Sequence, residues 1–444
     1  MDSRFLSHNA HLEDPDHFAD LDPQLRRLKH LPFVQIPALL AELPTDIAGI
    51  YTITGGRQIG KTTLLKQWMV KLLKDKTPPT AIAFFSGELI DDYHALLRLI
   101  QTQLERMQTN KLCYLIIDEI TYIHDWDKAI KYAADAGWLD DAVLILTGSD
   151  ATLIQEARAR FPGRRGKANI VNFHLYPLSF RECVSLKHPS VKTPSIDLLF
   201  EEWNAYLLHG GYLTAINDVA THGYILEATL STYSDWIRGD MLKRGKQEHY
   251  LREVLGAIIK RYTSQITWNN LSQDLSIDHP KTVADYIALL ESMDAVFVQA
   301  ALLEDKLVGA PKKARKVIFC DPFIFHAIRA WLNPVKNPYE NQILTLLADP
   351  DWCAKLVEAA ATAHYHRYFP TYYIKSEGEV DIAYVDQRRI YPVEIKWTNQ
   401  LRPGDLKQVM KYANSKILTK NKEAGEIQQV KTEPLPLALW KLTT

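Results

Sequence analysis

The sequence predicts an α/β protein of several domains, and three observations carry that expectation. A short apolar run at 50–54 passes through the glycine-rich stretch Gly55-Gly56-Arg57-Gln58-Ile59-Gly60-Lys61-Thr62 into a helical pattern from Thr63. A second apolar run, 114–117, ends in Asp118-Glu119. Two alternating runs, 379–385 and 390–396, flank Asp386-Gln387-Arg388-Arg389 near the C-terminus. The first two read as strands whose polar ends lie at the sheet edge where open α/β folds hold ligands. The third reads as an antiparallel hairpin.

A chain of 444 residues has room for two to four domains. With 47% hydrophobic and 24% charged residues it has an ordinary globular composition. A net charge of −1 excludes a global field for nucleic acid, so any such contact must come from local patches. Cys113, Cys183, Cys320 and Cys353 are scattered without a C-x-x-C pair, which points to reduced thiols, a cytoplasmic location and no zinc site. The polar, acidic start lacks the apolar core of a signal peptide, and no apolar run is long enough to span a bilayer, so no membrane partner is expected.

The stretch from Gly55 to Thr62 fits G-x-x-x-x-G-K-[ST], the phosphate-cradling P-loop, in the strand–loop–helix context that the motif needs. Its glycines let backbone N–H groups turn toward phosphate oxygens, and the helix N-terminus at Thr62 and Thr63 adds partial positive charge. Lys61 is placed to reach the β/γ-phosphates and Thr62 to ligate Mg²⁺. Asp118 is placed to hold Mg²⁺ through water, and Glu119 to orient and deprotonate the attacking water. A strand at 80–85 and a helix at 91–107 lie between these motifs. A further strand at 143–146 ends in Thr147-Gly148-Ser149-Asp150, where Thr147 or Ser149 can bond the attacking water or simply cap a turn. Arg164 and Arg165 follow. They serve either as a finger on transition-state charge, in cis or from a neighbouring subunit, or as a solvated basic loop. A last strand is read at 170–175.

The intervening strand, with Glu directly after Asp, resembles the additional-strand branch of P-loop ATPases, to which AAA-type proteins belong. G-R-Q-I-G-K-T-T, the D-E-I-x-Y-x-x-D-W run from Asp118 to Trp126, T-G-S, G-R and Y-P-L-S-F-R-E (Tyr176 to Glu182) together resemble the prokaryotic AAA-type ATPase family with a C-terminal DUF4143 region. Asp22-Pro23-Gln24-Leu25 and His209-Gly210-Gly211-Tyr212 add to the resemblance. Asp150 departs from it where a small hydroxyl residue is usual, and Leu213 where proline often stands. The resemblance implies ATP with Mg²⁺, a prokaryotic cytosolic protein, and a homo-oligomer or a partner protein.

Residues 186–248 read as a helical linker or lid. Helices at 251–262, 268–275 and 281–293, with extended segments at 295–298 and 317–320, follow a winged helix-turn-helix plan. The third helix is expected to expose Lys281, Thr282, Asp285, Tyr286 and Glu291, a set too acidic for easy approach to phosphates. The wing holds the basic residues Lys306, Lys312, Lys313, Arg315 and Lys316.

Folding the C-terminal hairpin at Gln387/Arg388 sets Asp381 opposite Glu394 and Glu379 opposite Lys396, all four on one face. Two facing carboxylates repel, and a divalent metal on Asp381, Glu394 and the Ile395 carbonyl relieves the repulsion, with Lys396 free to position water. Asp…Glu-x-Lys on such strands resembles the PD-(D/E)XK nuclease superfamily. The resemblance assigns Glu340, on a helix at 339–347, as the added helix acid and Gln408 as a further polar position.

The expected architecture is therefore an N-terminal extension (1–48), an AAA-type three-layer P-loop domain (49–185), a helical linker (186–248), a winged helix (249–320) and a PD-(D/E)XK-like α/β domain (321–444). The expected activity is ATP hydrolysis coupled to binding or cleavage of DNA or RNA. The alternative is a nucleotide-switched regulator with a non-cleaving C-terminal fold.

Overall fold

A computed structural model describes residues 2–107, 112–148, 153–154, 168–277, 279–398 and 406–443. The chain divides into two compact units, Met1–Tyr176 and Pro177–Thr444.

The first unit is built on five parallel strands: β1 (Gly49–Thr54), β2 (Ile82–Ser86), β3 (Cys113–Asp118), β4 (Ala142–Thr147) and β5 (Asn172–His174). Their order is β2-β3-β4-β1-β5. β2 is the strand between the two nucleotide motifs in sequence, but β4 is the one between β1 and β3 in space. The apolar runs are continuous because both faces of the sheet are covered. Ile50, Phe85, Leu115 and Leu144 face one core, which holds α3 (Tyr93–Arg106) and α4 (Trp126–Asp135). Tyr51, Ile53, Phe84 and Ile116 face the other, which holds α2 (Lys61–Lys74) through Leu64, Leu65, Trp68 and Met69.

The residues before Gly49 belong to this unit. β2 is an edge strand, and Asn9 covers it: its amide accepts from the Phe84 N–H and donates to the Phe84 carbonyl, both at 2.8 Å. Asp22 caps α1 (Pro23–Leu28), and its other oxygen lies 3.0 Å from Lys66 Nζ, both side chains being only 1% exposed. Lys66 also donates to the His8 carbonyl (2.6 Å) and lies over the Phe84 ring. Burial lowers its pKa although Asp22 works to raise it. Asp22→Asn keeps a capping oxygen but strands the ammonium. It is expected to cost about 3–5 kcal/mol in denaturant unfolding, and a cost below about 1 kcal/mol would mean that the ammonium finds water instead.

The second unit begins with helices α5 (Phe180–Lys187), α6 (Ile196–His209), α7 (Leu213–His222) and α8 (Glu227–Lys243). Next come α9 (Glu248–Lys260), α10 (Trp268–Gln273) and α11 (Pro280–Ser292), followed by the antiparallel pair β6 (Val296–Ala300) and β9 (Arg315–Phe319). Between that pair lies the small hairpin β7 (Leu302–Leu303) and β8 (Val308–Gly309). On α11 only part of the expected face is open. Tyr286 is buried, its hydroxyl accepting from the Gln247 N–H, and Glu291 is half-buried, accepting from the Val298 N–H.

After α12 (Pro322–Leu332) and α13 (Pro350–Tyr368) comes a mixed six-stranded sheet. Its strands are β10 (Thr371–Lys375), β11 (Glu379–Asp386), β12 (Arg389–Lys396), β13 (Lys416–Thr419), β14 (Gly425–Ile427) and β15 (Val430–Pro434), in the order β10-β11-β12-β13-β15-β14. β11 and β12 form the expected hairpin. Gln387 and Arg388 both take left-handed backbone (φ 45° and 61°), as a two-residue turn requires, and Ile382 pairs with Val393.

Candidate functional site

In the first unit Gly55 opens the loop at φ 148°, and a Cβ there would lie 2.5 Å from the Leu175 carbonyl oxygen, so only glycine fits. Lys61, 4% exposed, begins α2 and donates to the carbonyls of Gly55 and Gly56, each at 2.9 Å. Its ammonium lies 3.5 Å from Glu119 Oε1. Thr62 Oγ1 donates to Asp118 Oδ2 at 2.6 Å. Thr147 Oγ1 donates to Asp118 Oδ1 at 2.5 Å and accepts from the Glu119 N–H at 3.0 Å. Burial raises the Asp118 pKa, while the Thr147 and Thr62 hydroxyls work to lower it. Glu119 takes left-handed backbone (φ 52°), which turns its side chain away from the strand line toward Lys61.

The loop and the two acids thus converge as the sequence spacing predicts. Thr62 and Asp118 present adjacent hard oxygens at a helix N-terminus, which is the donor chemistry that Mg²⁺ takes. Thr147 gives its one proton to Asp118 and a lone pair to the Glu119 N–H, so it braces the two acids. Arg57 donates to the Tyr122 hydroxyl (2.9 Å), which ties the loop to the segment after Glu119. Gln24 donates to Thr63 Oγ1 (3.0 Å). Gln58 takes left-handed backbone and Ile59 packs against the core of the α2 face. Ser149, Asp150, Arg164 and Arg165 lie outside the described residues.

In the second unit the hairpin pairs Ile382 with Val393, a register that sets Asp381 opposite Glu394, and the Asp381 N–H lies 3.4 Å from Glu394 Oε2. The contacts there differ from expectation in three ways. Lys396 Nζ reaches Glu394 Oε1 on its own strand (2.7 Å). Glu379 Oε1 meets Lys316 Nζ of β9 at 2.5 Å. Glu340 lies exposed on the short π-helix Tyr339–Leu344, whereas Glu358 on α13 reaches Lys316 at 2.9 Å. Lys316 Nζ is also 3.9 Å from Asp381 Oδ1, while Asp381 Oδ2 accepts the Ile395 N–H at 2.9 Å. Gln408 is buried nearby and accepts the Gly378 N–H.

Burial pushes the Glu394 pKa up to about 8 with the Asp381 charge adding to it, and burial pushes Glu358 up to about 7. Burial opposes the charge on Lys316, yet Glu358, Asp381 and Glu379 together raise its pKa. These residues do not suit a divalent metal. An ammonium stands among the carboxylates, 2.5 Å from Glu379, 2.9 Å from Glu358 and 3.9 Å from Asp381. No group of three or more metal-ligating side chains is found among the described residues. The sequence missed Lys316 and Glu358 because β9 and α13 carry no signal that they meet the hairpin.

Comparison with known proteins agrees with the first unit. A family model described as an AAA domain matches residues 48–184, and a domain of unknown function, DUF8612, matches 200–334. The second match belongs to a different family from the DUF4143 region named by the sequence resemblance. An uncharacterized protein of Haemophilus influenzae is 26% identical over 259 residues, covering 56% of this chain and 61% of its own. The protein MJ1544 of Methanocaldococcus jannaschii is 28% identical over 223 residues, covering 48% and 47%. The chain therefore spans about half to three fifths of these relatives. The Walker-type ATPase PABY2304 of Pyrococcus abyssi is similar in structure at a TM-score of 0.42 and 14% identity, over 63% of this chain and 91% of that one. The Aeropyrum pernix ORC1 protein, solved with DNA, reaches 0.34 and 12%, over 77% and 98%. No helix of the described residues is long and apolar enough to cross a membrane. The segment 48–184 thus matches an AAA-domain family model and combines a five-stranded parallel sheet with a P-loop whose Thr62 meets Asp118.

Proposed function

We propose that the protein binds ATP with Mg²⁺ and hydrolyses it at the site formed by Lys61, Thr62, Asp118 and Glu119, and that nucleotide turnover switches the state of the second unit. One observation carries this reading: Thr62 and Asp118, 56 positions apart, meet through a 2.6 Å hydrogen bond, while Lys61 faces Glu119. When bound, Mg²⁺ supplies charge neutralisation on the phosphate oxygens, with Thr62 and Asp118 holding it. Backbone N–H groups of 55–63 cradle phosphate, Lys61 carries positive charge to it, and Glu119 takes a proton from water. Arg164 is the residue we assign as a finger, supplied in cis or by a second copy of the chain in a homo-oligomer.

For the second unit we take the non-cleaving, nucleotide-switched alternative, in a cytoplasmic protein. Asp381, Glu394 and Lys396 do share one face, which favours the nuclease-like fold, but the buried Lys316 ammonium already stands 3.9 Å from Asp381 and disfavours a second cation there. We read α9 to β9 as the winged helix. There Lys306, Lys312 and Lys313 are the exposed cations for DNA or RNA, since Lys316 is buried and Arg315 is bonded to the carbonyls of Pro311 and Lys313. Phosphate release by purified protein tests the reading. Lys61→Ala is expected to lower ATP turnover by about 10²-fold or more. Full turnover in that variant would overturn the proposal.

A further inference from the structure

The hairpin 379–396 poses a physical problem that the chain answers from elsewhere. Glu379, Asp381 and Glu394 crowd one face, and α13 adds Glu358, so four acids, one buried and three half-buried, meet there. Such a cluster is stable only if cations or protons offset it. Lys316 is 1% exposed, and its ammonium lies 2.5 Å from Glu379, 2.9 Å from Glu358 and 3.9 Å from Asp381. It comes from β9, on a strand pair that is itself tied to the sheet: Gln299 of β6, opposite Lys316, donates to the carbonyls of Tyr372 (2.9 Å) and Asp381 (2.8 Å). Lys396 serves Glu394 in the same way at the open end of the face.

We propose that Lys316 is the resident cation of this acidic face, an internal ammonium in the place of a divalent metal, and that it locks β9 to the hairpin and to α13. The inference rests on the non-cleaving reading of the second unit and gives it a cause. A second positive ion entering between Asp381 and Glu394 would face the ammonium across a short, poorly screened distance. The face is therefore a charge-locked joint between β9, the hairpin and α13.

The test uses full-length, nucleotide-free protein and Mn²⁺ alone as probe, read by electron paramagnetic resonance beside Asp381→Asn. Wild type is expected to show no bound Mn²⁺ that depends on Asp381. In Lys316→Met the melting temperature should fall by several degrees and be restored by Mn²⁺, and the restoration should vanish when Asp381→Asn is added. If Lys316→Met does not fold, the wild-type comparison still decides. Mn²⁺ held by wild type and lost in Asp381→Asn would overturn the inference, as would a Lys316→Met protein as stable as wild type without metal. DNA or RNA incubated with the same samples separates the two claims. Asp381-dependent Mn²⁺ binding without cleavage defeats the inference alone, whereas Asp381-dependent cleavage defeats the non-cleaving reading as well.

Discussion

Glu119→Gln is expected to slow ATP hydrolysis by about 10²–10⁴-fold while leaving nucleotide binding in place. The amide has the shape of the carboxylate but cannot accept a proton from water. Its position should survive, because the backbone N–H of residue 119 is held by Thr147 and the following turn by Ile120–Tyr122. Neither Thr62–Asp118 nor the loop carbonyls around Lys61 depend on the Glu119 carboxylate. Single-turnover hydrolysis and binding of a fluorescent ATP analogue, measured side by side, separate the two effects. Unchanged hydrolysis would remove Glu119 from the chemistry. Loss of binding and turnover together would make it a structural partner of Lys61 instead.

Gly210→Ala is expected to destabilise the second unit by about 4 kcal/mol, the combined scale of strained backbone and overpacking. Gly210 ends α6 at φ 57°, ψ −152°, a conformation open in practice only to glycine. An added Cβ would lie 1.7 Å from Asp321 Oδ1. Asp321 cannot yield, because it is buried, caps α12 through the Phe323 N–H (2.8 Å) and accepts the Gly211 N–H (2.8 Å). Burial already raises its pKa to about 7, with those N–H groups working against the rise. Urea unfolding of the variant checks the figure. A change within about 0.5 kcal/mol would mean that the end of α6 relaxes freely. Leu213, where proline was the more usual residue, is the first residue of α7, a position that takes proline or leucine without loss of a helix bond.

The nucleotide site was legible because its parts are contiguous. A loop between a strand and a helix, and an acid pair at a strand end, can meet in few ways once the sheet is parallel, so Thr62 and Asp118 came together as spacing required. The hairpin register was legible for a similar local reason: a two-residue turn leaves a single pairing, and Asp381 falls opposite Glu394. Harder to read were choices between equivalent residues. Glu340 and Glu358 are both helix acids, and only the packing of α13 on the sheet selects the second. Lys316 sits in a basic run that reads as a solvated wing, and nothing in its neighbours marks it as buried. Thr147 was placed correctly at a strand end, but which oxygen its single proton serves depends on where β3 stands beside β4.

The sequence by itself determined the P-loop, its acid partners, the α/β class and the facing pair at the C-terminus, since each follows from periodicity and spacing within a short stretch. The tertiary structure alone decided which charges offset one another: Lys66 against Asp22, and Lys316 against Glu358, Glu379 and Asp381. The physical reason is that a charge can be buried only where a distant element supplies its counter-charge, and that pairing is a property of the packing rather than of any local pattern.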